Sequence, residues 1–243
     1  MMNRQIKALV WDFDGTIGDT YEKNLRVTRE IVKRITGKEA DEFPALRTVE
    51  SYGLAQRKTS NWREFYLQTL GFTVDQTNEA GMLWTEYQLK DGSPPPVFQG
   101  IDRVVGSLQR FPHGIVSQNA RSSISRTLDA AGLSSYFQCI IGYEEVELTR
   151  QKPEPDGLLL CIEELTKLEP GRVVYIGDHE VDIETADEAN RVLERRQADI
   201  RVVTVAAMYG GHVDEPTWKF RPDYVVRDPV QILDVVQNIG TKV

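Results

Sequence analysis

Short apolar runs alternate along this chain with stretches whose apolar positions recur every three to four residues. Ile6 to Trp11 reads as a buried strand, cut off by Asp12-Phe13-Asp14-Gly15. From Asp19 to about Leu89 no apolar strand run follows. Leu25, Ile31, Val32 and Ile35 keep a helical period that Gly37 stops. Ser60-Asn61 caps a second helix carrying Trp62, Phe65, Tyr66 and Leu70, closed by Gly71, and a third is expected from Thr77 to Leu89. Asp91-Gly-Ser-Pro-Pro-Pro96 is the stiffest, most turn-rich stretch, which suits an interdomain hinge.

Beyond the prolines the rhythm becomes helix, strand, helix, strand. Helical stripes run through Ile101 to Leu108, Ile124 to Ala131, Leu158 to Leu165 and Ile183 to Leu193. The apolar runs between them are Gly114–Val116, Phe137–Ile141, Val173–Ile176, Val202–Val205 and Tyr224–Val226, and Asp228-Pro229 opens a terminal helix with proline at its first position. Continuous apolar strands alternating with helices predict an α/β fold, a parallel sheet covered on both faces. The first strand belongs to that sheet, so an all-helical domain is inserted after it. The expected division is a core of residues 1–17 and 97–243 with a helical insertion of 18–96.

Composition narrows the class. The chain has 243 residues, and 29 Lys+Arg against 37 Asp+Glu leave a charge of −8, with 40% hydrophobic residues. These are ordinary globular values, and the acidic balance argues against nucleic acid as a partner. No apolar run approaches the ~20 residues that span a bilayer. The start of the chain does not read as a secretory leader, and Cys139 and Cys161 make no disulfide framework, so a cytoplasmic location is expected.

Open α/β sheets bind ligands just beyond the carboxyl ends of their strands. The polar residues that follow the apolar runs therefore form a set: Asp12, Asp14, Gly15 and Thr16, then Ser117, Gln118 and Asn119, then Gly177, Asp178 and Asp182. Lys152 lies in a proline-rich connection after the Phe137–Ile141 run. Asp12 and Asp14 would sit roughly 6–7 Å apart on one side of an extended backbone. A carboxylate pair also suits glycoside hydrolysis, a reading that leaves Ser117, Lys152 and the second acidic pair unused. Asp178 and Asp182 face together if a helix begins near Glu180. At ~4 Å and an effective dielectric of ~20 each like-charge pair costs about 4 kcal/mol, so crowded acids need cations. Lys152 is one, and hard oxygen ligands point to Mg2+ beside a substrate phosphate. Ser117 and Asn119 could hold an anion at a helix start or simply cap it. His113, His179 and His212 share no metal-ligand spacing; His179 and Arg121 are read as rim or solvated residues, as is the charged stretch 190–199.

In order and spacing, Asp12-Phe-Asp14-Gly-Thr16, Ser117-Gln-Asn119, Lys152-Pro and Gly177-Asp178-x-x-x-Asp182 resemble the four motifs of the haloacid dehalogenase-like hydrolase superfamily. The helical insertion looks like that superfamily's C1 cap. The resemblance implies a Rossmann-like core and Mg2+-dependent phosphoryl transfer through an aspartyl intermediate. By the same resemblance Asp12 is the nucleophile and a metal ligand. Asp14 is the acid/base, its backbone carbonyl also on the metal, and Lys152 neutralises charge. Thr16, Ser117, Gln118 and Asn119 are implied to bind phosphate, Asp178 the metal, and Asp182 the metal or a water on it. The second aspartate favours phosphate esters over dehalogenation, and Asn24 stands where mutase-like members carry histidine. The layout is most similar to phosphoglycolate phosphatases.

The expectation is thus a phosphatase of a small phosphorylated metabolite, phosphoglycolate-like, a sugar phosphate or a nucleotide. Cap closure would exclude water, and Arg47, Tyr52, Gly53 and Arg57 around a cap turn would read the leaving group. The rival readings are a phosphotransferase or phosphomutase on sugar phosphates, and a phosphate-binding regulatory module. A monomer or homodimer is expected, with no membrane partner.

Overall fold

The computed structural model describes residues 5–210 and 218–241. The chain divides into two compact units, Asp19–Pro95 and the remainder. It opens with strand β1 (Ile6–Trp11). The helical unit follows, built from α1 (Tyr21–Thr36), α2 (Val49–Gln56), α3 (Trp62–Glu64, continued by a π-helical turn Phe65–Thr69) and α4 (Val74–Lys90). Gly37 ends α1 in the left-handed conformation at φ 70°, its N–H on the Lys33 carbonyl. Asn61 caps α3 by accepting the Glu64 N–H, as its position before the apolar stripe predicts. The third helix starts three residues earlier than expected, because Thr73 and Gln76 form a reciprocal capping box. This unit has its own core, in which Leu25, Ile31, Val32 and Leu46 pack with Phe65 and Phe72.

The second unit holds α5 (Ile101–Ser107), β2 (His113–Val116), α6 (Arg121–Ala130), β3 (Phe137–Ile141), α7 (Asp156–Thr166), β4 (Gly171–Gly177), α8 (Glu180–Arg195), β5 (Ile200–Ala207), β6 (Tyr224–Val226) and α9 (Gln231–Thr241). Together with β1 these strands make a six-stranded, all-parallel sheet in the order β3-β2-β1-β4-β5-β6. The parallel α/β architecture predicted from the alternating runs is the one observed, and it has the Rossmann-like form that the resemblance implies.

Strand periodicity sorts the core. Leu9, Trp11, Ile115, Val174 and Ile176 face the side packed by α5, α6 and α9, while Ala8, Val10, Val116, Val173 and Tyr175 face α7 and α8. Burying each large apolar side chain contributes about 1.5–3 kcal/mol, so this alternation fixes which face a residue must take. Cys139 and Cys161 are both buried as free thiols.

One helix start in the second unit differs from expectation. The terminal helix begins at Gln231, with Pro229 in the turn before it and the Asp228 carboxylate accepting the Val230 N–H. The charged stretch 190–199 continues α8 to Arg195 and then turns at Gln197 (φ 55°). It is hooked to β5 by Asn190, whose side chain pairs with both the N–H and the carbonyl of Val202. Among the described residues no helix is long and apolar enough to cross a membrane.

Candidate active site

Register aligns the chemistry. Trp11 is level with Ile115 of β2 and Ile176 of β4. The residues just past these positions therefore emerge on one rim, where the sheet order changes direction. The Asp12 N–H extends the ladder onto the Ile176 carbonyl at 2.8 Å, and the Ser117 N–H does so onto Ile141 at 3.0 Å. Asp12 has the parity of Val10, which turns it toward α7 and α8. That is the side from which Lys152, Tyr175 and Asp182 arrive.

The centre is a buried knot of acids around one ammonium. Carboxylate oxygens of Asp12, Asp178 and Asp182 lie within 4.8 Å of one another. Lys152 Nζ donates to Asp12 Oδ1 and to Asp182 Oδ1, both at 2.7 Å. Asp182 is held from three directions, since Oδ1 also accepts the Tyr175 hydroxyl at 2.9 Å and Oδ2 the His179 N–H at 3.1 Å. Burial pushes the Asp12 carboxyl well above its usual range. The Lys152 ammonium pulls it down, and Asp182, Asp178 and Asp14 push it up again. Burial opposes the Lys152 charge too, but Asp12 and Asp182 outweigh it and hold the lysine firmly protonated. Three carboxyl groups against one ammonium leave an excess of acid in a buried site. Such a donor set, all hard oxygens, fits a divalent cation such as Mg2+.

Gly15 shows how tightly this knot is drawn. It turns the chain at φ +81°, and a Cβ there would stand 2.2 Å from Asp178 Oδ2. Next to it, Thr16 is fully buried and its hydroxyl oxygen has no hydrogen-bond partner, while its carbonyl accepts the Tyr209 hydroxyl at 2.6 Å. An unpartnered buried hydroxyl is costly, by about 1–3 kcal/mol, unless a ligand oxygen meets it.

The segment after β2, expected as a phosphate cradle, is tied to Asp14 and to the Lys152 loop. Ser117 Oγ lies 3.4 Å from Asp14 Oδ2 and accepts the Asn119 N–H at 3.0 Å. The Gln118 amide donates to the Lys152 carbonyl at 2.9 Å, so it braces the lysine's loop. The Asn119 amide faces Asp14.

The remaining candidates have partners of their own. Tyr52 and Gly53 lie inside α2, with Arg47 and Arg57 flanking it, so the expected cap turn is a helix. Tyr52 is buried in the helical unit's core, bonded to Thr28 and edge-on to Phe65, a packing role rather than an exposed contact. Arg47 Nε donates to the Asp41 carbonyl. Arg121 pairs with Glu145 at 3.2 Å, and His179 caps α8 through Nδ1, which accepts the Val181 N–H. His113 is buried between Trp11 and the Leu108 carbonyl, and His212 lies outside the described residues. Two tyrosines were missed. Tyr175 is the one polar position in an otherwise apolar strand run, and its parity with Ala8 and Val10 was the available signal. Tyr209 follows β5 on the same rim, two residues past the strand.

Comparisons with known proteins agree with this geometry. Residues 9–192 match the haloacid dehalogenase-like hydrolase family. Pyrophosphatase PpaX of Oceanobacillus iheyensis is 23% identical over 95% of this chain and 97% of its own. The N-acetylmuramic acid 6-phosphate phosphatase of Pseudomonas aeruginosa is 23% identical, with 98% of each chain covered. Among solved structures, one described as a predicted phosphoglycolate phosphatase from Haemophilus somnus 129PT superposes with a TM-score of 0.72 at 15% identity, covering 98% of this chain and 100% of that one. With the four motifs gathered on one rim and the match running from β1 into α8, the chain belongs to the haloacid dehalogenase-like hydrolases.

Proposed function

We propose that this phosphoric monoester hydrolase removes the phosphoryl group of a small phosphorylated metabolite through an aspartyl-phosphate on Asp12, with Mg2+ as cofactor. The observation that carries the reading is the buried triad of Asp12, Asp178 and Asp182, clamped by one lysine. Relatives named for pyrophosphate and for a sugar phosphate support a compact phosphorylated substrate. Asp12, Asp178 and the Asp14 carbonyl would hold Mg2+, which when bound supplies charge neutralisation on the phosphoryl oxygens. Asp182, already engaged by three donors, positions Lys152.

The chain's own groups account for the rest. An Asp12 carboxylate oxygen bonds to phosphorus as the bond from phosphorus to the leaving oxygen breaks, and Asp14 gives that oxygen its proton. Water then attacks phosphorus, its proton passes to Asp14, and the bond to Asp12 opens to release phosphate. Lys152 and the Thr16 and Ser117 hydroxyls meet the negative charge on the transferring group. Phosphate release from pyrophosphate, 2-phosphoglycolate, sugar phosphates, nucleotides and p-nitrophenyl phosphate, with and without Mg2+, tests the reading. Turnover that needs Mg2+ and vanishes in Asp12→Asn is expected, and full activity of that variant would end the assignment.

A further inference from the structure

The Asn119 amide has no freedom in how it points. Oδ1 accepts the Ala120 backbone N–H at 2.8 Å, so the NH2 end must face the other way, where Nδ2 lies 3.1 Å from both oxygens of Asp14. The main chain of Asn119 is pinned as well, its N–H on Ser117 Oγ and its carbonyl accepting the Tyr143 N–H at 3.1 Å. Asn119 is only 5% exposed. By contrast, the 3.4 Å contact from Ser117 Oγ is too long to set the carboxylate's place.

We infer that Asn119 is a positioning residue for the acid/base: it fixes where the Asp14 carboxylate stands and so where the leaving group receives its proton. This rests on the phosphatase reading above. When Asp14 has given its proton to the departing oxygen, its two oxygens meet the aimed NH2 group. There the carboxylate waits for the proton that water releases as it attacks the phosphorus of the Asp12 acyl phosphate.

The consequence depends on the leaving group. An alkyl phosphate must expel a poor leaving oxygen and needs the proton. p-Nitrophenyl phosphate expels a stable phenolate and hardly does. Asn119→Asp keeps the shape and the acceptor for the Ala120 N–H but turns an oxygen toward Asp14, while Asn119→Ala removes the donor without adding charge. The parameter to compare is kcat/KM, which covers the steps up to transfer onto Asp12 and is not masked by the shared hydrolysis of the ester. Both variants should lower kcat/KM for an alkyl phosphate that the wild type turns over, 2-phosphoglycolate first, by roughly 100-fold, and for p-nitrophenyl phosphate by less than about fivefold. In an Asp14→Asn background neither should add further discrimination. Equal losses on both esters, or no loss, would overturn the inference. A wild type that hydrolyses none of these esters would overturn the phosphatase reading and this inference with it.

Discussion

At Gly15 a single missing methyl group decides whether the site can close. With φ at +81° and Asp178 Oδ2 2.2 Å from any Cβ, Gly15→Ala must both strain the backbone and push Asp178 away. We expect at least a 100-fold loss of turnover, roughly 3 kcal/mol, with the far-ultraviolet circular dichroism of the wild type. His113 supports a prediction away from the chemistry. Its Nδ1 accepts the Trp11 indole N–H at 3.0 Å while Nε2 faces the Leu108 carbonyl, so a second ring proton would point at a donor. Burial lowers its pKa to about 4, the Leu108 carbonyl only partly opposing. The unfolded chain therefore binds the proton first as pH falls. The stability this neutral ring confers is full above about 6.5 and is lost toward about 4, by about 3 kcal/mol. Urea titrations across that range should show the slope in the wild type and its loss in His113→Asn. Asp12 and Asp178 were legible in the sequence because each closely follows an apolar run, and Asp14 and Asp182 by their spacing from them. The partner of Asn119 was not, since a helix cap, a phosphate ligand and a bond to Asp14 all ask for the same residue type at the same place.

Among elements, the loop before α7 does the most for its length. It carries Lys152 to β1 and α8, and its carbonyl is held from the β2 loop by Gln118. Loss of that one bond, about 1 kcal/mol, should cost Gln118→Ala roughly five- to tenfold in kcat with little change in KM. Thr73→Ala should destabilise α4 by about 1 kcal/mol through its capping box, read as a lower urea midpoint with turnover intact. The strands were legible because buried parallel strands are short and apolar throughout. Helix α2 was not, because its apolar positions do not fall on a 3.6-residue stripe and two short turns, Ala40–Glu42 and Pro44–Leu46, precede it. Pro229 suited a first helical position, yet the Asp228 carboxylate takes the next N–H and the helix starts two residues later.

On the scale of the whole molecule, two units with separate cores follow from one change of rhythm, helix-only from Asp19 and alternating after the prolines. What the sequence could not carry is convergence in space: residues 12, 152 and 182 are far apart in the chain and meet only because one sheet face brings them together. That convergence makes Asp12 the atom-level centre of the account. The most direct measurement is an acid quench of the enzyme during turnover of a radiolabelled phosphate ester, with the label mapped to a peptide. Label on Asp12, released by hydroxylamine and absent from Asp12→Asn, is expected. Label on another residue, or steady turnover with no labelled enzyme in a burst-resolved quench, would contradict an Asp12 nucleophile.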